Sequence, residues 1–415
     1  MIGLADCNNF FVSCERAINP SLCNRAVVVL SNNDGCAIAR SNEAKSLGIR
    51  MGQPAFELRH LIKSGQLIAL SGNHLLYRDV SLRIHNIFRT FVPRTLDYSV
   101  DEAFLDMTGI PSDQIIMIGR AIVRECLIQE KIPVTIGFSL SKTLAKVASH
   151  IGKTSGRRVI ILSSREKIKE ALKEYPVDEI WGIGRRIAKR LYTSGIYTAA
   201  DFADRTLGWV RTHFGINGER CWRELHGESC IELSHVDRPL QQSISETRTF
   251  PVDIDDYDYI RARIAIYSAH VSKRLRAMQG IAGRLTVFLR SNRFHTANGY
   301  HALEASIGFE PPVDDAAIIS NAGINLLDRI FDPKIAYKRA GIILSDIVPA
   351  ASFEPSLFDS EKKLKYLRNS RKLMKAIDNL NTGVGPHVIK LASQLTKGHI
   401  GHNDGYSSSF GAPSS

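Results

Sequence analysis

Three carboxylates in this sequence have the types and setting for metal chemistry. Asp6 closes the apolar run IGLA, and Asp101 and Glu102 stand together in LDYSVDEAFLDMTG. Adjacent strands lie about 4.8 Å apart, so acids on two of them can converge at one edge. A regular strand would point residues 101 and 102 to opposite faces. Convergence therefore requires a turn or bulge at Ser99–Asp101. Three carboxylates without a nearby histidine suit hard, oxygen-seeking Mg²⁺, and crowding them stores repulsion that a divalent ion relieves. Two such ions, about 3.5–4 Å apart, activate a hydroxyl nucleophile and steady a phosphate leaving group. The plain alternative is that Asp6 caps a turn and the acidic pair faces solvent.

Other residues supply the complementary charge. In SLSKTLAKVASHIGK, Lys142, Lys146 and Lys153 fall within about 40° of one another if the helix persists to 153, while Leu144, Val147 and Ile151 form a separate apolar side. Such a stripe suits phosphates, and a solvated face is its rival. Asn42 and Lys45 stand one turn apart in SNEAKSLG. Phe10 and Phe11 follow the first acid, and core packing takes at least one of them. VDEIWGIGRRIAKRLYTSGI, 177–196, reads as helix, glycine-centred hairpin and cationic helix. There Gly182 and Gly184 permit a tight turn, free N–H groups open the next helix, and Arg185, Arg186, Lys189 and Arg190 add charge. That pattern reads a nucleic-acid backbone rather than its bases; an ordinary helical turn is the alternative.

The elements that must position these groups follow from periodicity. Strands are expected at 1–6, 26–31, 96–107, 134–139 and 159–162, and helices from about Ser41 to Gly48 and at 82–92, 113–130 and 141–151. This order suits one mixed α/β domain with a smaller insertion near 20–75. A charged helical stretch fills 165–233. A polar linker, 234–243, leads to a second α/β module at 244–348, where GRLTVFLRS and KRAGIILSDI alternate like strands and 258–278 and 313–330 read as helices. The tail holds the basic run KKLKYLRNSRKLMK and a Gly/Ser-rich end.

The formal charge is +12 over 415 residues. It is uneven, with 19 basic against 13 acidic residues in 1–164 and nine against four in 359–415. Such a surplus favours a polyanionic partner, since each phosphate contact releases counterions. Seven cysteines without a CxxC pair argue against a disulfide framework or a zinc site. No apolar run reaches the roughly 20 residues of a membrane helix, and no signal segment opens the chain. A cytoplasmic protein is expected.

MIGLADCNNFFVSCE, SNNDGCAIARSNEAKSLGIRMG, YSVDEAFLDMTG and VTIGFSLSKTLAKVAS, in that order, closely resemble the Y-family DNA polymerases, over about residues 1–350. The nearest likeness is to the branch serving bacterial SOS mutagenesis. The resemblance implies a multidomain α/β, right-hand-like polymerase. A mixed-sheet palm would span 1–19 and 76–164, small fingers 20–75, and a helical thumb with a helix-hairpin-helix 165–233. After the linker would come an α/β little finger, 244–348, and a partner-binding tail, 349–415. It implies error-prone synthesis past damaged bases, with Asp6, Asp101 and Glu102 as catalytic ligands of two Mg²⁺ ions. Lys153 would contact the incoming triphosphate, and Lys142 and Lys146 would meet template or backbone phosphates of the DNA. At Asn42 and Lys45 many relatives carry Tyr and Arg; Lys45 offers a point charge without arginine's fork. Phe11 would be the gate beside the nucleotide sugar, next to Phe10. Arg248, Arg284, Arg290 and Arg293 would grip DNA.

In the tail, Leu357 and Phe358 resemble the end of a sliding-clamp-binding peptide, although Glu354 and Pro355 depart from its pattern. The resemblance implies primer–template DNA and dNTPs as substrates, with a cleaved UmuD-like dimer, a RecA filament and the clamp as partners, near the nucleoid. Two other accounts stay open. A two-metal nuclease or nucleotide cyclase could use the same acids, but a cyclase has no use for the hairpin and a nuclease none for Phe11. A non-catalytic DNA scaffold would bind DNA without extending a primer.

Overall fold

The computed structural model describes residues 1–230, 240–294, 299–354, 361–383, 389–390 and 392–394. Two compact units divide between His235 and Val236.

In the first unit the chain runs β1 (Ile2–Cys7), α1 (Phe10–Ile18), β2 (Val27–Leu30), β3 (Ala37–Arg40), α2 (Asn42–Ser46), α3 (Ala55–Lys63), β4 (Ile68–Ser71) and α4 (His74–Phe91). It continues with β5 (Thr95–Asp97), β6 (Glu102–Asp106), α5 (Ser112–Glu130), β7 (Val134–Ser139), α6 (Lys142–Ser155) and β8 (Val159–Leu162). Four helices complete it, α7 (Arg165–Lys173), α8 (Arg185–Thr193), α9 (Ala199–Ala203) and α10 (Leu207–Leu225). The main sheet has the order β5-β6-β1-β7-β8. Its central strand β1 runs antiparallel to both β6 and β7, and all six of its residues are buried.

Strand alternation divides this sheet's side chains between two layers. Ala5, Cys7, Ala103 and Leu105 pack with Val80, Ile84 and Phe88 of α4 and Ile115, Ile122 and Cys126 of α5. Ile2, Leu4 and Phe104 pack on the opposite side with Ala145 of α6. Gly137 lets α6 lie against β7, because a Cβ there would stand 2.1 Å from the Ser149 nitrogen and 2.5 Å from the Ala145 oxygen. The smaller sheet, β3-β2-β4, buries Val28 and Leu30 with Ala44, Ile49 and Leu58. Above it α2 is capped by Ser41, whose Oγ accepts the Ala44 N–H. Helices α7–α10 share a core with Leu144 and Val147 of α6.

The second unit is a four-stranded antiparallel sheet, β9 (Ser243–Ile254), β10 (Gly280–Ser291), β11 (Ala302–Val313) and β12 (Tyr337–Pro349), in the order β11-β10-β12-β9. Helices α11 (Tyr257–Ala277) and α12 (Ala316–Ile330) bury Ile264, Val271, Ile319 and Leu326 with Leu285, Val287 and Leu289 of β10. A last helix, α13 (Glu361–Gly383), is fastened here. Arg276 donates two hydrogen bonds to Asp378, at 2.7 and 2.8 Å, Arg371 pairs with Asp314 at 3.3 Å, and Ser370 donates to Asp315. The tail's basic run thus spends Arg371 on its own unit. Leu357 and Phe358 lie outside the described residues.

Two expectations change. Helix α4 starts at His74 rather than near 82, because the Asn73 side chain accepts the Leu76 N–H and caps it. The segment ahead of the 182–184 hairpin is a single 3₁₀ turn, Val177–Glu179, in place of a helix; Pro176 before it and three residues of length leave no room for an α-helical ladder.

Candidate active site

Register brings the acids together. Asp6 lies directly opposite Glu102 across the β1–β6 ladder, so both side chains leave the same face of the sheet. Asp101 precedes β6 in a turn, and its carbonyl accepts the Cys7 N–H at 2.9 Å. That turn departs from strand geometry as the acids require. Ser99 organises it: its Oγ accepts the N–H groups of Asp101 (3.3 Å) and Glu102 (3.0 Å) and donates to Asp101 Oδ1 at 2.6 Å. The N–H groups of Tyr98 and Ser99 close the loop on the Glu102 carbonyl, at 3.0 and 3.1 Å.

Lysines stand on two of these acids. Lys153 donates to Asp6, and Lys146 donates to both Glu102 oxygens, at 3.0 and 3.3 Å. Burial raises the Asp6 carboxyl to about 6 against the lowering pull of Lys153, and the nearby charges of Glu102 and Asp101 add to the rise. Helix α6 persists past 153, so Lys146 and Lys153 share a face over the acids. Lys142 does not join them. It is 1% exposed, and its ammonium lies 5.1 Å from the centre of the Phe104 ring. Burial holds it below the usual lysine range, against the upward pull of Glu224. Glu224, on α10, also accepts the Thr143 N–H at 2.9 Å. The first turn of α6 is thus tucked against α10, and Lys142 is buried there rather than lying on the face that Lys146 and Lys153 share.

A second cationic group comes from the smaller sheet. Lys45 donates to Asn9 Oδ1 at 2.7 Å, while Asn9 Nδ2 donates to Asn42 at 3.0 Å. Burial lowers the Lys45 ammonium from its usual range, and the positive charges of Arg40 and Lys153 lower it further. Arg40 and Lys153 thus both stand close enough to act on Lys45. Arg40 donates to the Ile49 carbonyl at 2.7 Å. Sequence reading missed Asn9 and Arg40. The signal for Asn9 was an Asn-Asn pair before a helix: Asn9 holds the left-handed φ of 48° that asparagine tolerates better than most residues.

Phe10 is buried in the core. Phe11 is half-buried and stacks on Tyr77, 4.4 Å between ring centres and 15° between planes, with His74 edge-on at 5.9 Å. Tyr77 is fixed in turn by donating to Glu15 at 2.7 Å, both of them buried.

At the hairpin, Gly182 has φ +97°, a conformation that disfavours any side chain, whereas Gly184 has an ordinary φ of −86° as the N-cap of α8. Arg185, Arg186 and Lys189 are exposed on α8; Arg190 is committed to the His213 carbonyl at 2.7 Å. Trp181, also missed, faces the sheet: its Nε1–H donates to Tyr98 Oη at 3.0 Å.

Within the second unit, most of the arginines read as DNA contacts are paired. Arg248 bonds Glu246 at 2.9 Å, Arg284 bonds Asp346 at 3.0 Å and Arg290 bonds Glu304 at 2.7 Å. Arg293 stands 5.7 Å from the Tyr300 ring centre. Arg290, Arg293, Phe294, Tyr300, Lys338 and Arg339 line an open hollow of about 720 Å³ beside β10 and β12.

Carboxylate oxygens alone are the donor set that hard divalent cations take, and ammonium groups lie where positive charge is wanted. The acids therefore fit Mg²⁺ in kind. Among the described residues, however, no three His, Cys, Asp or Glu side chains gather closely enough to hold a metal ion. Asp6 and Glu102 turn to their lysines and Asp101 to Ser99, so holding a cation requires those contacts to exchange.

The sequence model of the impB/mucB/samB family matches residues 5–150, and that of the family's C-terminal domain matches residues 241–357. The chain is 36% identical to the protein UmuC of Salmonella typhimurium LT2, over 95% of this chain and 93% of that protein. It is 32% identical to MucB of Escherichia coli, over 92% and 90%. With DNA polymerase IV of Staphylococcus aureus Newman it shares 25% identity, over 85% and 97%. A solved Y-family DNA polymerase chimera of Dbh and Dpo4 has the same fold, with a TM-score of 0.68 at 22% identity, covering 84% of this chain and 99% of that one. No helix among the described residues is long and apolar enough to cross a membrane.

Proposed function

The chain belongs to the impB/mucB/samB family, and from that premise we propose how its own residues carry out template-directed DNA synthesis. It is a DNA-directed DNA polymerase of the Y-family, copying past damaged bases with low fidelity in SOS mutagenesis. The observation that carries the residue-level reading is the register that sets Asp6 against Glu102, with Asp101 in the Ser99 turn beside them.

Asp6, Asp101 and Glu102 would hold two Mg²⁺ ions, which when bound supply Lewis-acid activation of the primer 3′-hydroxyl and neutralise charge on the departing pyrophosphate. Lys153 and Lys45, with Arg40 near Lys45, would receive the triphosphate, and Asn9, which accepts from Lys45, would orient it. Phe11, kept flat by Tyr77, would meet the sugar. A rigid ring there collides with a 2′-hydroxyl and offers it no hydrogen bond. The Gly182 hairpin and the exposed cations of α8 would take the duplex backbone. The aromatic and basic hollow beside β10 would take more of it.

The division of labour follows the family pattern: palm at 1–19 and 76–164, fingers at 20–75, thumb at 165–233, linker at 234–243, little finger at 244–348 and a partner-binding tail at 349–415. A UmuD-like dimer, a RecA filament and a sliding clamp are the partners we infer, with action at the nucleoid in the cytoplasm.

Primer extension with Mg²⁺ tests the reading. Asp101→Ala and Glu102→Ala should each abolish extension, by about 10³-fold or more, with duplex affinity unchanged within a few-fold. Wild-type chain that binds primer–template without extending it, partners included, would favour the scaffold reading.

A further inference from the structure

Trp181 belongs to the hairpin, directly before the left-handed Gly182, yet its side chain packs on the acids' sheet. Its ring lies edge-on to Tyr98 at 5.6 Å and tilted against Phe104 at 5.7 Å. It packs against the layer made by Ile2, Leu4, Phe104 and Ala145. Its Nε1–H donates to Tyr98 Oη at 3.0 Å. Tyr98, in turn, is tied by its own N–H to the carbonyl of Glu102.

The space between these two rings and Glu102 is filled by one ammonium. Lys146 Nζ lies 4.7 Å from the Tyr98 ring centre and 5.7 Å from that of Trp181, within the roughly 6 Å over which a π face attracts a cation. The same nitrogen donates to both oxygens of Glu102. Lysine's four-carbon stem has many rotamers, and an ion pair alone restrains it weakly. Two aromatic walls remove much of that freedom, and they still hold the ammonium if the carboxylate turns toward another cation.

Apolar packing explains only part of this. Packing the hairpin onto Leu4 and Phe104 needs a ring, which phenylalanine would supply. It does not call for an indole N–H aimed at a phenol that is itself 44% exposed, nor for a charged group between them.

We propose that Trp181 and Tyr98 are positioning residues for the acid site. They hold Lys146 against Glu102, so that the seating of the duplex-gripping hairpin sets the orientation of that carboxylate. The inference rests on the polymerase reading above. Coupling of this kind is reciprocal: a hairpin engaged on the duplex favours one Lys146–Glu102 arrangement, and that arrangement favours the engaged hairpin.

The test uses the full chain on a primer–template of defined sequence. Single-turnover extension supplies the maximal rate and the KM for dNTP, fluorescence anisotropy the Kd for DNA, and a thermal melt the integrity of the fold. Trp181→Phe keeps the ring and deletes the N–H; Tyr98→Phe deletes its acceptor. Each should lower the maximal rate about five-fold, the worth of one hydrogen bond, with KM, Kd and melting midpoint nearly unmoved. The double variant should be no slower than the worse single one, and Trp181→Phe should add nothing in a Lys146→Met background. Wild-type rates in both single variants would overturn the proposal. So would losses that multiply in the double variant, or a loss confined to DNA affinity, which is what mere hairpin packing predicts. A wild-type chain that extends no primer even with its partners supplied, in contrast, overturns the polymerase reading together with this inference.

Discussion

At Asp6 burial and charge pull in opposite directions. The sheet and α6 exclude water from its carboxyl and raise it to about 6, while Lys153 opposes the rise. A group lifted from 3.8 to about 6 costs the native state about 3 kcal/mol when ionised. That cost is present above pH 6, shrinks as pH falls through 6, and is gone below the unfolded value. In metal-free buffer, Asp6→Asn should therefore melt a few degrees higher than wild type at pH 7.5 and level with it near pH 4. Extension should be lost at the same time. Equal melting midpoints at pH 7.5 would refute the burial cost. Phe11 makes a different residue-scale argument. Its stack on Tyr77 is worth about 1 kcal/mol and fixes the plane of the ring. Phe11→Ala should raise ribonucleotide incorporation by about 10- to 100-fold relative to dNTP, and unchanged discrimination in a competition assay would dispose of the gate.

Helices α6 and α8 both carry cationic residues at helical spacing, lysines alone on α6 and mostly arginines on α8, but the structure treats the two differently. On α6 the stripe splits: Lys146 and Lys153 reach the acids, and Lys142 is buried at the first turn beside Glu224. On α8, Arg185, Arg186 and Lys189 are exposed beyond a hairpin that Gly182 makes possible. Replacing those three by Ala should weaken duplex binding for every sequence and lower the salt-dependence slope by about 2–3, near one unit per phosphate contact. Lys142→Met should leave that slope untouched and show its effect in thermal stability instead. A fall in slope for Lys142→Met equal to one phosphate contact would place it on the DNA surface.

Across the whole molecule the basic surplus is not all available to a polyanion. Much of it is matched locally: in the second unit Arg248, Arg284 and Arg290 each have a carboxylate, and Arg276 and Arg371 fasten α13. Arg293, near the Tyr300 ring, is exposed and has no carboxylate partner among the described residues. Arg293→Ala should lower the salt slope of DNA binding by about 1 and Arg284→Ala by clearly less. Equal losses from the two would show that local pairing does not decide which arginine meets DNA.

Local order along the chain was sufficient for the strand and helix types of the sheet layers, for the acids as a group, and for the family. Apolar runs such as VVVL and VTIGFS, and long motifs in register, are properties of neighbouring residues. The same local view called for a turn at Ser99–Asp101 and separated Phe10 from Phe11 only as one core ring and one other. Which lysine is buried, that Asn9 bridges Lys45 and Asn42, that Tyr77 backs Phe11, and that Trp181 reaches the acids' sheet all depend on pairs tens of residues apart. Helical spacing assigns a side chain to a face; only packing decides whether that face meets solvent, an acid or another helix, because burial and ion pairing are set by neighbours that sequence proximity does not specify.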